Sequence, residues 1–375
     1  MDRIYSTAAA GASLDQPIGG KLGLLGQQLD ANILSQVSNE QVNWFYSYFL
    51  HIPKQDTIDW LNENNIEFLP MIGSDRTWAG RWKKKCWMTG KDENGNEKPK
   101  CDLDDMIWSI QNTQDQLNTP IEWLMGFNEP WDPNPNLKWK YTDPWTAAEL
   151  WGEYFQPLAD HFGLKLLSPT TLQKRDKGKA QWYVDFLKSC WELRDSEYAC
   201  DVTSIKATSI HEYKCFYDLW YEYYDVDSSK WTDENFYKFI IDQLEDPEWE
   251  GHDAMDWYTL ITETPLWITE TNCNYDNPNP KYYPDTVDMC LRSTGQAEDN
   301  ANGMSYGPGS IKAAWEMDHV HRIAWFLTNA KNNVPVNQAA CMLGDDGEWL
   351  PIARALFNDL DPELARCTEE PTTRA

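Results

Sequence analysis

The sequence predicts an α/β protein built as a single (β/α)8 barrel, and three observations carry that expectation. Short apolar, β-branched segments alternate with helical patterns along the chain, which is the mark of a parallel sheet. Eight such strand segments can be placed, each followed by a helical pattern. The long irregular stretches mostly follow strands rather than precede them, so they would gather as long βα loops on the C-terminal face of the barrel. With 375 residues and 41% hydrophobic content, the chain can bury one large core. No repeat or linker divides it. Residues 1–17 read as a flexible N-terminal segment, 18–360 as the (β/α)8 domain that would hold any catalytic site, and 361–375 as a C-terminal tail.

Lys21 to Leu25 is the first strand, with a short helix from about Asp30. Val42 to Tyr46, continuing into Ser47-Tyr48, is the second, and Asp56 to Asn62 is helical. Ile66 to Ile72 is the third strand, and a helix over Leu103 to Leu117 presents Met106, Ile107 and Ile110. The fourth strand is the run Trp123-Leu124-Met125-Gly126-Phe127, which ends in Asn128-Glu129-Pro130. Proline has no N–H for a ladder and restricts the residue before it, so Glu129 is expected at the tip of a buried strand. Asp143-Pro144 opens the next helix as N-cap and first turn, with Leu150, Tyr154, Leu158 and Phe162 at helical spacing. Leu164 to Leu167 is the fifth strand, Gln181 to Leu193 a helix, and Val202 to His211 holds the sixth strand. A helix near Glu234 to Leu244 leads to the seventh strand, Pro265 to Glu270. A helix over Ile311 to Val320, the eighth strand Arg322 to Phe326 and a helix from Ile352 to Leu360 close the chain.

The irregular stretches are Gly73 to Lys100, Trp131 to Thr142, Glu212 to Trp231, Thr271 to Gly309 and Leu327 to Pro351. Together they would wall a cleft for an extended ligand. Their aromatics include Trp78, Trp82, Trp87, Trp131, Phe216, Tyr217, Trp220, Tyr282 and Tyr283, suited either to stacking on sugars or to ordinary loop packing. Arg81 to Lys85 reads as a solvated turn rather than an anion site.

A formal net charge of −28 argues against a nucleic-acid partner, because a phosphate backbone would be repelled. It also favours a neutral glycan over a sulfated or uronic one. No apolar run reaches membrane-spanning length and no signal-peptide pattern opens the chain, so a leader is expected to have been removed or never present. Nine cysteines suggest an oxidising compartment and a secreted, extracellular protein; the alternative is nine reduced, buried thiols. Near-neighbour pairs would be Cys86 with Cys101, Cys190 with Cys200, and Cys273 with Cys290, leaving Cys215, Cys341 and Cys367 unassigned. There is no Asn-x-Ser/Thr site.

The seventh strand, Leu266-Trp267-Ile268-Thr269-Glu270, has the same form as the fourth: an apolar run ending in a carboxylate. Two carboxylates on two strand tips of one barrel are the minimum equipment for glycoside hydrolysis. Glu129 would be the general acid/base, with a pKa raised by burial or by the charge of Glu270, and Glu270 the nucleophile. Asn128 is placed to hydrogen-bond a sugar hydroxyl. A carboxyl separation of about 5–5.5 Å would mean retention, and about 6.5–9.5 Å inversion. His211 and Tyr213, at the end of the sixth strand, could orient Glu270 or contact the sugar; a hydrogen-bonded strand-end histidine is the plainer alternative. The histidines and cysteines form no spaced zinc pattern, and there is no phosphate loop or Gly-x-Ser-x-Gly elbow, so no metal and no cofactor are expected.

These landmarks, in this order, resemble glycoside hydrolase family 128 within the clan-A barrels. The similarity runs from about Lys21 to Phe357. It rests on Phe68-Leu69-Pro70-Met71, Leu124 to Pro130, Leu167-Ser168-Pro169, Cys190 with Cys200, His211-x-Tyr213, Leu266 to Glu270, and Arg322-x-Ala324-Trp325-Phe326. The resemblance implies endo-hydrolysis of β-1,3-glucan with retention, Glu129 as acid/base and Glu270 as nucleophile, without a metal. Tyr46-Ser47-Tyr48 stands where the family has Tyr-Asn-Trp, at the presumed sugar sites. Tyr46, Tyr48, Trp131 and Trp325 therefore join Asn128, His211 and Tyr213 as substrate-binding candidates. The expected partner is a polysaccharide or oligosaccharide, the expected state a monomer. Other readings are a clan-A hydrolase or transglycosylase on mixed-linkage glucan, mannan or xylan, and a carbohydrate-binding barrel without turnover.

Overall fold

The computed structural model describes residues 22–25, 42–52, 54–92, 94–131, 142–170, 177–212, 264–271 and 320–325. Within them the eight expected barrel strands are present: β1 Leu22–Leu25, β2 Trp44–Tyr46, β3 Glu67–Leu69, β6 Trp123–Met125, β7 Lys165–Leu167, β8 Ile205–Glu212, β9 Leu266–Thr271 and β10 Val320–Trp325. All pair in parallel, in the order β3-β2-β1-β10-β9-β8-β7-β6. The two ends of that list meet beyond β3: Met125 N–H donates to Pro70 O at 2.9 Å and Ile72 N–H to Met125 O at 3.2 Å. Parallel strands bonded around a ring in this way form a (β/α)8 barrel.

The strands are buried on both faces, as a helix-covered parallel sheet requires. Leu25, Trp44, Tyr46, Leu69, Trp123, Met125, Leu167, Ala207, Trp267 and Ala324 fill the barrel interior, while Leu24, Phe45, Phe68, Leu124, Leu166 and Ile268 face the helical layer. The interior contains a tryptophan cluster, with Trp267 centred 4.5 Å from Trp123 and 5.7 Å from Trp44. The Arg322 guanidinium lies 4.2 Å from the Trp267 ring centre and pairs with Glu67 at 2.6 Å.

The helices follow their capping residues. α1, Gln55–Asn64, buries Ile58, Trp60 and Leu61 and ends where Asn65 turns left-handed. α2, Leu103–Gln114, starts at Asp102, whose side chain accepts from Asp104 N–H, and buries Met106 and Ile110. Asp143 caps α3, Pro144–Leu150, by accepting from Thr146 N–H, with Pro144 in the first turn. The helix passes through a wide π turn, Trp151–Phe155, into α4, Gln156–Phe162. Pro157 cannot donate to a carbonyl in the preceding turn, and a widened turn accommodates that loss. α5, Lys177–Leu193, is pinned to the segment before β8 by the Cys190–Cys200 disulfide.

Several boundaries differ from the sequence expectation. The Gly73 to Lys100 stretch contains an antiparallel hairpin, β4 Arg76–Ala79 and β5 Lys84–Trp87, whose Cys86 is tied by a disulfide to Cys101, just ahead of α2. Its strands are too short and too basic to stand out as a period-two pattern. Val202–Ser204 is a 3-10 turn capped by Asp201, so β8 starts at Ile205. β10 begins at Val320, which was assigned to the preceding helix. The helices expected near Asp30, Glu234, Ile311 and Ile352, the Cys273–Cys290 pair, and Cys215, Cys341 and Cys367 lie outside the described residues. No described helix is long and apolar enough to cross a membrane.

Candidate active site

β6 ends at Met125, and Gly126 to Pro130 form a turn over the barrel mouth. Glu129 thus lies beyond the strand rather than at its last ladder position. Gly126 is required by a close crossing, since a Cβ there would lie 2.7 Å from Pro169 N and 2.9 Å from Leu167 O. Asn128 N–H donates to Gly73 O at 2.9 Å, which fixes the turn to the segment after β3. Glu129 then adopts φ +49°, the left-handed region. A non-glycine residue held there costs about 1–3 kcal/mol, a strain that gathers at functional sites.

Glu270 is aimed by a different device. Trp267 and Thr269 belong to one side of β9, so strict alternation would send Glu270 to the other. Against β8, Ile210 pairs with Ile268 but His211 with Glu270; against β10, Ile323 pairs with Ile268 but Trp325 with Thr271. β9 therefore carries one residue more than either neighbour at this level. Such a bulge re-aims a side chain, and here it brings Glu270 to the barrel mouth.

The result is a buried cluster, with Glu129 7%, Glu270 2%, Asn128 3% and His211 1% exposed. His211 Nδ1 lies 2.9 Å from Glu129 Oε1 and 3.4 Å from Glu270 Oε2, so one imidazole edge serves both carboxylates. Tyr48 hydroxyl donates to Glu270 Oε1. Tyr46 hydroxyl donates to Thr269 O at 2.7 Å and lies 3.4 Å from Glu270 Oε1. Burial first, and the charge of Glu270 second, hold both tyrosine hydroxyls well above the usual tyrosine range. They therefore remain donors at neutral pH. Asn128 Oδ1 is buried and accepts no hydrogen bond among the described residues.

Beneath the carboxylates runs a chain of hydroxyls that sequence reading missed. Thr170 Oγ1 lies 3.0 Å from Ser209 Oγ, which lies 2.7 Å from Thr269 Oγ1; Ser209 N–H donates to Ser168 Oγ at 2.8 Å. Serine and threonine at strand ends carry no signal that separates such a chain from ordinary β-forming residues. Of the other candidates, Trp131 is nearly buried within the strand–helix core and Trp325 entirely so. Tyr213 lies outside the described residues, as do Phe216, Tyr217, Trp220, Tyr282 and Tyr283. Trp78 and Trp87 are half-buried on the hairpin.

Glu129, His211 and Glu270 also offer ligand atoms within 4.8 Å of one another, a set that could hold a cation. Two carboxylates grouped this closely at the mouth of a (β/α)8 barrel have the form of a carboxylate-pair glycosidase site. The family comparison agrees. A model described as glycosyl hydrolase catalytic core matches residues 23–231, more than half of the chain, and the chain belongs to that family. The matched region holds Glu129 and His211 and ends before Glu270.

No curated protein matches the sequence. Among solved structures, the chain is similar to a subgroup II family-128 endo-β-1,3-glucanase from Pseudomonas viridiflava, at 15% identity over 90% of this chain and 97% of the other, with a TM-score of 0.56. A subgroup II endo-β-1,3-glucanase from Sorangium cellulosum is 19% identical over 90% and 98% of the two chains, with a TM-score of 0.49. A glucosidase from Croceicoccus marinus is 12% identical over 90% and 66%, with a TM-score of 0.50. At these identities the Pseudomonas and Croceicoccus structures bear on the fold alone. That fold is consistent with the resemblance to family 128 as a divergent member.

Proposed function

We propose that the chain is a secreted, monomeric, retaining endo-β-1,3-glucanase that cleaves a neutral β-glucan without a metal. The observation that carries this reading is the Glu129–Glu270 pair, whose nearest oxygens lie within 4.8 Å. Two carboxylates close enough to share one imidazole nitrogen favour the retaining arrangement over the wider inverting one. The choice of β-1,3-glucan rests on the family-128 resemblance and on the activity named for the Pseudomonas enzyme. The two disulfides among the described residues fit an oxidising, extracellular setting.

In the first step, Glu129 gives its proton to the glycosidic oxygen as the C1–O bond breaks, and a Glu270 oxygen bonds to C1. The shorter glucan leaves with its new hydroxyl, and a glycosyl ester remains on Glu270. In the second step, Glu129, now a carboxylate, takes a proton from water as that water attacks C1 and the ester bond breaks. Two displacements restore the original configuration. Tyr48 and Tyr46 hold Glu270 in line, and His211 holds Glu129 against it. Asn128 Oδ1, buried and without a donor among the described residues, is placed to accept from a sugar hydroxyl, a contact that gains strength as charge develops at C1.

The test is reducing-end release from soluble β-1,3-glucan. Glu129→Gln and Glu270→Gln should each lower kcat by about a thousandfold or more while keeping the wild-type fold, and a chelator should leave the wild-type rate unchanged. No release by the wild type would end the β-1,3-glucan reading and direct the assay to mixed-linkage glucan, mannan and xylan.

A further inference from the structure

We propose that the tip of the β4–β5 hairpin is a docking site for an anionic polysaccharide, one bearing carboxylate or sulfate groups, with Trp82 stacking on a sugar between the cations Arg81, Lys83 and Lys84. This goes beyond the cleavage of neutral glucan and depends on that reading only in taking a polysaccharide as the partner.

The charge distribution is the first argument. Between residues 76 and 100 the chain has eight Lys and Arg and three Asp and Glu, a net +5. The rest of the molecule then carries −33 of the −28 total. Overall acidity, which argues against an acidic glycan along the whole surface, therefore does not apply at this hairpin. Residues 81 to 85 are all exposed, so their charges are open to an anion, against the sequence expectation of a solvated turn alone. In a protein so rich in carboxylates, Arg81, Lys83 and Lys84 form no ion pair among the described residues. By contrast, Arg76 and Lys85 lie over the half-buried Trp78 ring, and Lys85 and Lys98 over Trp87.

The second argument is Trp82 itself. It is 77% exposed, against 42% for Trp145 and 37% for Tyr198, the other exposed large apolar side chains described. An indole held in water beside exposed cations offers a stacking face and a charge partner together. The mount is stiff, so little order would be lost on binding. Gly80 N–H is held by Asp105 O and Ser109 Oγ, Lys83 N–H closes the turn onto Gly80 O at 2.9 Å, and Lys83 takes the left-handed φ of +46°. Cys86–Cys101 clamps the base.

Placement selects the partner. Trp78 packs edge-on to Phe49 at 5.4 Å, one residue from the Tyr48 that bonds Glu270, so the hairpin borders the catalytic mouth. A bilayer or duplex nucleic acid would bring an extended anionic surface against the −33 body. A single flexible polysaccharide strand can touch the hairpin alone, within about one Debye length of its cations, roughly 8 Å at physiological salt.

The experiment uses polygalacturonate, a uronate polymer with no β-1,3-glucosidic bond, in affinity electrophoresis and calorimetry with the full chain. The wild type should bind, and binding should weaken with salt. Arg81→Gln combined with Lys84→Gln, and separately Trp82→Ala, should each weaken binding about tenfold, the size of one lost stacking or ionic contact. The Arg81→Gln/Lys84→Gln variant, which changes two exposed side chains, should keep its rate on neutral β-1,3-glucan within about twofold of wild type. Absence of wild-type binding would overturn the proposal. So would unchanged binding in either variant, or equal affinity for anionic vesicles or single-stranded RNA. If the wild type binds as described yet releases nothing from β-1,3-glucan, the docking site stands and the proposed activity falls.

Discussion

At the scale of single residues, the site depends on groups that hold two carboxylates in each other's company. Tyr48 is the most exposed of these and the easiest to test. Its hydroxyl donates to the Glu270 oxygen, and a hydrogen bond to a charged acceptor is worth about 1.5–3 kcal/mol. Tyr48→Phe should therefore lower kcat about 10- to 100-fold on β-1,3-glucan and lower the melting temperature by a few degrees. An unchanged kcat would remove Tyr48 from the catalytic arrangement. The two acids were legible in the sequence, because each closes an apolar run. Their supporting residues were less so. Tyr46 and Tyr48 stood out through a family resemblance, but the bond to Glu270 joins residues more than two hundred positions apart. The hydroxyl chain through Thr170, Ser209 and Thr269 left no pattern at all, because each member also suits a plain strand.

At the scale of elements, strand number and order were readable, while the devices that aim the side chains were not. A bulge in β9 and a left-handed Glu129 are events of one residue each, and neither changes the local hydrophobic pattern. The hairpin was hidden by its basic composition. The barrel interior holds a further feature of this kind, the Arg322–Glu67 pair beside the tryptophan cluster. Burial pushes the Glu67 carboxyl up from its ordinary value and Arg322 opposes that shift. Removing one partner of this half-buried pair leaves the other short of a partner, at a cost of about 1–3 kcal/mol. Arg322→Met should lower stability by that order in denaturant unfolding, and adding Glu67→Gln should recover part of it. A single variant as stable as the wild type would show that the ring contacts with Trp267 and Trp44, not the ion pair, set the energy there.

At the scale of the whole molecule, the large negative charge and the buried groups respond to pH in opposite ways. Acidification relieves repulsion among carboxylates, but it works against His51. Burial, and next the positive charge of Lys83, push the His51 imidazole down to about 4 from an ordinary value of 6.5. Between those two values the unfolded chain binds a proton that the folded chain does not. Stability from His51 is thus complete above about pH 6.5 and declines as pH falls toward 4, by about 1–3 kcal/mol. His51→Gln should flatten that part of the stability–pH curve relative to wild type; parallel curves would contradict the assignment. The fold as a whole was the most legible level of all, since alternation of strand and helix needs no contact information. Its closure was not, because β3 and β6 meet through Pro70 and Ile72, beyond the end of the β3 ladder.

The central claim is that Glu270 becomes covalently glycosylated while Glu129 moves the proton. The most direct measurement is mass spectrometry of peptides after reaction with a 2-deoxy-2-fluoro β-glucosyl or β-laminaribiosyl fluoride, which slows release of the ester. The account predicts one sugar adduct, on the peptide holding Glu270, absent in Glu270→Gln. An adduct on another carboxylate, or turnover of glucan with an inverted product and no adduct, would contradict it.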